Sequence, residues 1–276
     1  QSFRSRIRHP ERTAAHEPEN VTCCQLIGMV RRMQQIAIDR VDGRINQLGA
    51  SLFFDAVTLE TARRHRVLDV VALILGGRAG ALGDIDVARM TDMFPFISPS
   101  MIAGCWPAIE SAGGPVALQR VFSEAVSDAA QAHWSETALR VIGATARDVI
   151  APVDGVAPGL FTAWRAIALD ATQRGVGTEV ASLFALRELR GDIHIESVQT
   201  IGLTPLEAEI ATRGPVVAEL HGWPTPYPDA AAHEQRSLAA GRRTSERMVE
   251  IYDGAMDPTA FDSFVDAVDS LVADRE

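Results

Sequence analysis

The sequence predicts a mostly α-helical protein built as two helical halves. Three observations carry this. Apolar residues recur at helical spacing from about residue 21 onward, and no long stretch alternates apolar and polar residues as a strand would. Glycine and proline breakers cut the periodic segments into helix-sized pieces. At 276 residues with 47% hydrophobic content, the chain can bury a real core in one large domain or two small ones.

Residues 1–20 read as a flexible arm. Four arginines and no apolar run in 1–18 exclude a signal peptide. Residues 21–42 carry Leu26, Val30, Met33, Ala37 and Val41 on one helical face. Residues 58–75 predict a second helix, with Val67, Val70, Val71, Ile74 and Leu75 inward and His65 and Asp69 as a solvated i,i+4 pair. Four glycines in 76–83 predict that this helix ends in a tight turn. The turn lacks the Lys-Ser/Thr ending of a phosphate-binding loop and the preceding strand of a dinucleotide site. Asp84 is then expected to cap a short helix through Met93.

Ser98 and Pro99 start the next helix, and Gly113-Gly114-Pro115 breaks it. Residues 116–150 are helical again, interrupted near His133 and Trp134. The segment 152–159 is the expected boundary between an N-terminal domain, 21–151, and a C-terminal domain, 160–276. A short helix over 160–170 precedes a central one starting near Val176. Thr204-Pro205-Leu206-Glu207 is a capping box with proline at the first helical position, and Gly214 stops that helix. Residues 221–228 form a rigid aromatic loop with three prolines. Residues 229–252 are helical and carry Arg236, Arg242, Arg243 and Arg247. Asp257 and Pro258 open a last helix with Phe261, Phe264, Val265, Val268 and Leu271 in one stripe.

Net charge is −10, which argues against a nucleic-acid coat or an anionic-membrane binder. No apolar run reaches the 18 or so residues of a membrane span. All 26 basic residues are arginine, the better bidentate partner for carboxylate or phosphate. Cys23, Cys24 and Cys105 are odd in number, with two adjacent, which points to a reducing cytoplasm and offers no metal-ligand spacing. Neither a cofactor nor a metal is called for.

The functional candidate lies in 183–196. Projected at 100° per residue, Glu188, Asp192, Glu196 and Gln199 fall on an acidic side that reads as solvent-facing. Leu183, Leu186 and Ile193 fall opposite, and Arg187, Arg190 and His194 share their side. Burying charge unpartnered costs several kcal/mol. Either carboxylates elsewhere pair with these groups, or they line a cavity that accepts an anion. On the second reading His194 and Arg190 are the catalytic residues, with His194 as general acid/base. Arg78 and Arg187 hold a carboxylate or phosphate, and Trp223 and Tyr227 close an apolar wall. Gly191 in mid-helix is expected to receive the Trp223 ring.

Residues 77–83, 186–194, 202–208 and Gly222-Trp223 together resemble an actinobacterial family of MarR-like or SalK-like helix-turn-helix proteins, in order and spacing from about Leu68 to Trp223. The resemblance implies a winged-helix relative, here with a degenerate C-terminal bundle, and a homodimer. Two departures stand out. Leu189 replaces a family histidine. Beyond Trp223 the family's longer strand-and-wing segment gives way to a proline-rich loop and a helix. These readings favour a small-molecule enzyme, of secondary metabolism, acting on an anionic or amphipathic ligand, with DNA not expected as a partner. The alternatives are a ligand-responsive MarR-like transcription regulator, whose arginines from Arg236 to Arg247 meet phosphates, and a non-catalytic binding protein. The dimer is expected to use the first and last helices.

Overall fold

The computed structural model describes residues 23–273, apart from 158, 171, 173 and 174. The arm at 1–20 lies outside the described residues, as do the side chains of Cys23, Cys24, Leu26, Val30 and Met33. Among the described residues there are thirteen α-helices, one short 3-10 turn and no strand. No helix is long and apolar enough to cross a membrane.

Helix α1 spans Cys23–Phe53, longer than the predicted 21–42. The predicted helix over 58–75 is two helices, α2 (Ala56–Arg64) and α3 (Val70–Ala79). Arg66 adopts φ 61, which an α-helix excludes, and Asp69 caps α3 by accepting from Ala72 N at 2.9 Å. His65 therefore does not pair with Asp69; its Nε2 lies 3.1 Å from Glu124.

The glycine run is not a tight turn either. Gly76 and Gly77 lie inside α3, and a 3-10 turn follows over Gly80–Leu82. A Cβ on Gly77 would lie 2.4 Å from Phe122 Cβ, and one on Gly80 would lie 1.9 Å from the Pro115 carbonyl. The glycines exist to let α3 lie against α6 (Pro115–His133). Between them, α4 (Val87–Met93) is capped by Asp86 rather than Asp84, and α5 (Pro99–Ser111) is capped by Ser98.

The remaining elements are α7 (Glu136–Ile150), α8 (Leu160–Ala168), α9 (Val176–Thr200), α10 (Pro205–Arg213), α11 (Pro215–Leu220), α12 (Ala230–Ala255) and α13 (Pro258–Ala273). Helix α9 is the axis of the molecule. It packs against α1, α6, α7, α8 and α12, so every residue from Thr178 to Leu186 is buried. Phe184 sits among the rings of Phe53, Phe122 and Trp164, with centroids 5.3–6.0 Å away.

One hydrophobic core runs from Ile38 to Val272 and continues across the turn at 151–159. A second, small cluster of Val198, Leu203, Ala208 and Ala240 joins the end of α9 to α10 and α12, with Phe96 and Ile201 against it. From Ile38 onward the apolar residues of α1 pack within the chain, where that helix meets α13 and its buried Phe264, Val268 and Leu271.

Candidate functional site

Arg78, Arg187 and Glu188 form a buried ionic cluster between α3 and α9. Arg78 donates from Nε and Nη2 to the two Glu188 carboxylate oxygens at 3.0 and 2.8 Å, the bidentate fork that guanidinium geometry favours. Arg187 Nη1 donates to Glu188 Oε1 at 2.9 Å. Phenylalanine rings close the cluster: Arg78 lies 4.7 Å from the Phe94 centroid and Arg187 lies 5.2 Å from that of Phe53. Glu188 is 3% exposed. The expectation that it faces solvent fails because α9 is enclosed on all sides in this stretch, so a projection that assigns one side to water has no such side to find.

Burial pushes the Glu188 carboxyl up, but Arg78 and Arg187 outweigh it and hold the group below the usual carboxylate range. Burial and the adjacent Arg78 bring Arg187 down to about 10. Asp192, one turn on, caps α8 from outside by accepting from Phe161 N at 2.9 Å. A Cβ on Gly159 would lie 2.4 Å from its Oδ2, so glycine there admits the carboxylate. Burial raises Asp192 to about 7 against that hydrogen bond.

Arg190 and His194 point elsewhere, toward α1 and α12. Arg190 Nε stands 3.4 Å from Asp42 Oδ2, and Tyr252 donates to Asp42 Oδ1 at 3.1 Å. Burial raises Asp42 to about 7, opposed by Arg190. His194 Nδ1 is 3.1 Å from Thr244 Oγ1, whose own proton goes to the Ala240 carbonyl at 2.9 Å. A hydroxyl has one proton, so Nδ1 is the donor and Nε2 the bare acceptor. The ring stacks on Phe96 at 5.7 Å. Burial, then Arg190 and Arg213, lower His194 to about 4, which leaves it neutral at pH 7.

Trp223 and Tyr227 do not meet this group. Trp223 Nε1 donates to the Phe96 carbonyl at 2.9 Å and Tyr227 donates to the Trp223 carbonyl at 3.1 Å, which pins the proline-rich loop to the body. A Cβ on Gly191 would have only Glu188 Oε2 within 4 Å, so the Trp223 ring does not pack there. Thus the sequence-predicted residues fall into three places. Arg78 and Arg187 share Glu188, Arg190 and His194 face α1 and α12, and Trp223 and Tyr227 brace a loop.

Two further features emerge that the sequence reading left unused. The first is the pair α10 and α11. Gly214, at φ 82 and ψ 178, ends one helix and begins the other, a conformation that is essentially glycine's alone. The capping box at Thr204 and Glu207 starts the pair as predicted. Glu209, 3% exposed, lies 2.8 Å from His221 Nδ1, off hydrogen-bond geometry, so the residue that ends α11 stands against α10. The outer face of α11, with Pro215, Val216, Glu219 and Leu220, is exposed, Val216 by 77% and Leu220 by 69%. The signal available was Gly214-Pro215 directly after a capped helix, which reads as a turn into a second helix as well as a stop.

The second feature is a cleft of about 300 Å³ between α9, α12 and the 151–159 turn. Ile193, Glu196 and Ser197 line one wall, Arg243, Glu246, Arg247 and Glu250 the other. Neither Arg78, Arg190 nor His194 borders it. Among the described residues, no three His, Cys, Asp or Glu side chains are grouped to hold a metal ion.

A helix-turn-helix family model matches residues 38–257. No curated protein matches the chain, and no solved structure does. The family match overturns the expectation that DNA is not a partner. That expectation rested on net charge and on a missing wing. Net charge is a property of the whole molecule, whereas phosphate contact is local and needs only a few arginines on one face.

Proposed function

The chain belongs to this helix-turn-helix family, and on that premise we propose that it is a ligand-responsive DNA-binding regulator. The single observation that carries the reading is the match itself, which takes in α10 and α11 together with most of the body. We take α10, Gly214 and α11 as the helix-turn-helix unit, with α11 as the helix laid on DNA. Its exposed Val216 and Leu220 suit the apolar contacts that read thymine methyl groups in the major groove.

Phosphate contacts fall to Arg213 and Arg236. Thr212 and Ser237 hydroxyls meet at 2.7 Å, and each arginine is the chain neighbour of one of them. Both side chains are exposed; Arg213 is only loosely paired with Glu209 at 3.9 Å, and Arg236 meets no carboxylate, its contacts being the Gly202 carbonyl at 3.3 Å and His233 Nδ1 at 2.7 Å. Arg247 is less available, because it holds Glu250 and the Asp154 carbonyl, and Arg243, though paired with Glu196 only at 3.9 Å, faces the cleft between α9 and α12. The enzyme reading loses its motive, since Arg78, Arg187 and Arg190 are engaged by carboxylates of the same chain.

The test is fluorescence anisotropy with the DNA upstream of the protein's own gene. Submicromolar binding is expected at about 0.15 M salt, with log K falling by about 2 per tenfold salt for two phosphate contacts. Arg213→Ala with Arg236→Ala should weaken binding to all sequences alike. Binding no tighter than to unrelated DNA, or undiminished in the double variant, would refute the assignment.

A further inference from the structure

We propose that the cleft between α9, α12 and the 151–159 turn binds a small organic cation of the primary-amine class. Its volume, about 300 Å³, lies at the small end of the range for ligand sites. The lining is mainly polar; at the floor Ile193 is 4% exposed, and the half-buried Val156 beside it supplies the apolar surface. The charges above that wall are unequal. Three glutamates, Glu196, Glu246 and Glu250, face two arginines, Arg243 and Arg247.

The arginines are also the better occupied. Arg247 Nη1 holds Glu250 at 2.9 Å while its Nη2 donates to the Asp154 carbonyl at 3.2 Å. Arg243 reaches Glu196 only at 3.9 Å. Glu246 has no hydrogen-bond or ion-pair partner among the described residues. An anion entering the cleft would meet three carboxylates and one loosely held guanidinium. A protonated amine finds Glu246 unpaired and Glu196 half-paired, and it carries three donors to give them. The organic remainder of the ligand covers the half-buried Val156.

The position of the cleft has a consequence. Its outer wall is α12, which also packs on α10. A ligand wedged at Arg243 to Glu250 therefore acts on the helix that carries the helix-turn-helix unit. This step names the ligand class for the proposed regulator and rests on that reading, whereas the binding itself does not.

The test is calorimetry on the full chain without DNA, using 2-phenylethylamine, 2-phenylethanol and 3-phenylpropionate as probes of similar size and different charge. The amine is expected to saturate with a Kd of about 1 mM or tighter, and the alcohol and the acid to bind at least about tenfold more weakly. Glu246→Gln should weaken the amine by about fivefold or more. Glu196→Gln should act in the same direction, and the circular dichroism of both variants should match the parent. Absent saturation with the amine, equal binding of the alcohol, preference for the acid, or undiminished binding in both folded variants would each overturn the proposal. Anisotropy with DNA, with and without the amine, forms a separate arm. Amine binding without any DNA binding would sink the regulator reading and leave the cleft assignment standing.

Discussion

Replacing Glu188 by glutamine is the sharpest stability test the structure offers. The substitution keeps the shape and removes the only negative charge between two guanidinium groups. Glu188 is 3% exposed and accepts three charge-assisted hydrogen bonds, two from Arg78 and one from Arg187. In the variant one oxygen becomes an NH2, which points donors at donors and leaves two buried cations facing each other. Removing one partner of a buried ionic group costs about 3–5 kcal/mol, out of a total of roughly 5–15 for a folded domain. At about 2–4 °C per kcal/mol for a chain of this size, the melting temperature should fall by roughly 6–20 °C. Urea unfolding followed by far-UV circular dichroism at pH 7 would show a lower midpoint at unchanged slope. Because the arginines hold the folded carboxyl below its ordinary value of 4.5, its stabilising share is present above that pH and lost as pH falls further. Parent and variant should therefore converge in acid. Methionine at 78, 187 and 188 together should recover much of the loss, since no charge is then left unpaired. A loss below about 1 kcal/mol for the single variant would mean that water reaches the cluster, and the account of α9 as sealed would fail.

Asp42 tests the opposite sign. Its folded value of about 7 lies above the unfolded 3.8, so its contribution falls as pH rises from about 4 to 7, and Asp42→Asn should flatten that part of the stability curve; an unchanged pH profile would refute this. Gly77→Ala should destabilise the protein by about 1–3 kcal/mol by forcing α3 off Phe122, and a variant as stable as the parent in urea would contradict the close approach. Gly214→Ala should strain the α10–α11 turn by about 1–3 kcal/mol and weaken DNA binding more than it lowers the melting temperature; a purely thermal effect would detach this turn from function.

Much of the architecture was legible because it is written locally. Ser98-Pro99, Gly113-Gly114-Pro115 and Thr204 to Glu207 are capping or breaking signals whose physics is complete within four or five residues, and each helix they predict is present. What misled is mostly non-local. The periodicity of 58–75 passes through Arg66 without a visible break, since arginine carries no turn signal; its φ of 61 belongs to a Schellman-type cap of α2, in which Arg66 N donates to the Arg63 carbonyl at 2.8 Å and Val67 N to that of Ala62 at 2.9 Å. The glycines at 76 to 80 have their reason in Phe122 and Pro115, some forty residues away. The inward arginines were visible on the helical projection, but their partners were not. Asp42 is distant in sequence, and Glu188 sits next to Arg187 on what looked like the outer side. A projection shows direction, not what stands there.

The same non-locality marks α12, whose partners lie far apart in the sequence. Helix α12, 26 residues and about 39 Å long, is held very differently at its ends. Near its C-terminus Tyr252 is buried and bonded to Asp42 of α1; at its middle Thr244 accepts from His194; near its start the residues from Ala230 to Ala232 are exposed, and Ser237 meets Thr212 of α10. Helix α12 thus joins α1 and α9 to α10 without a break. The cleft residues Glu246, Arg247 and Glu250 sit between its contacts to His194 and to Asp42. On the proposed regulator reading, a displacement at the cleft is expected to reach α10 along the helix, since no loop intervenes to absorb it. His194 Nδ1 donates to Thr244 at the middle of that helix, which fixes the ring against α12.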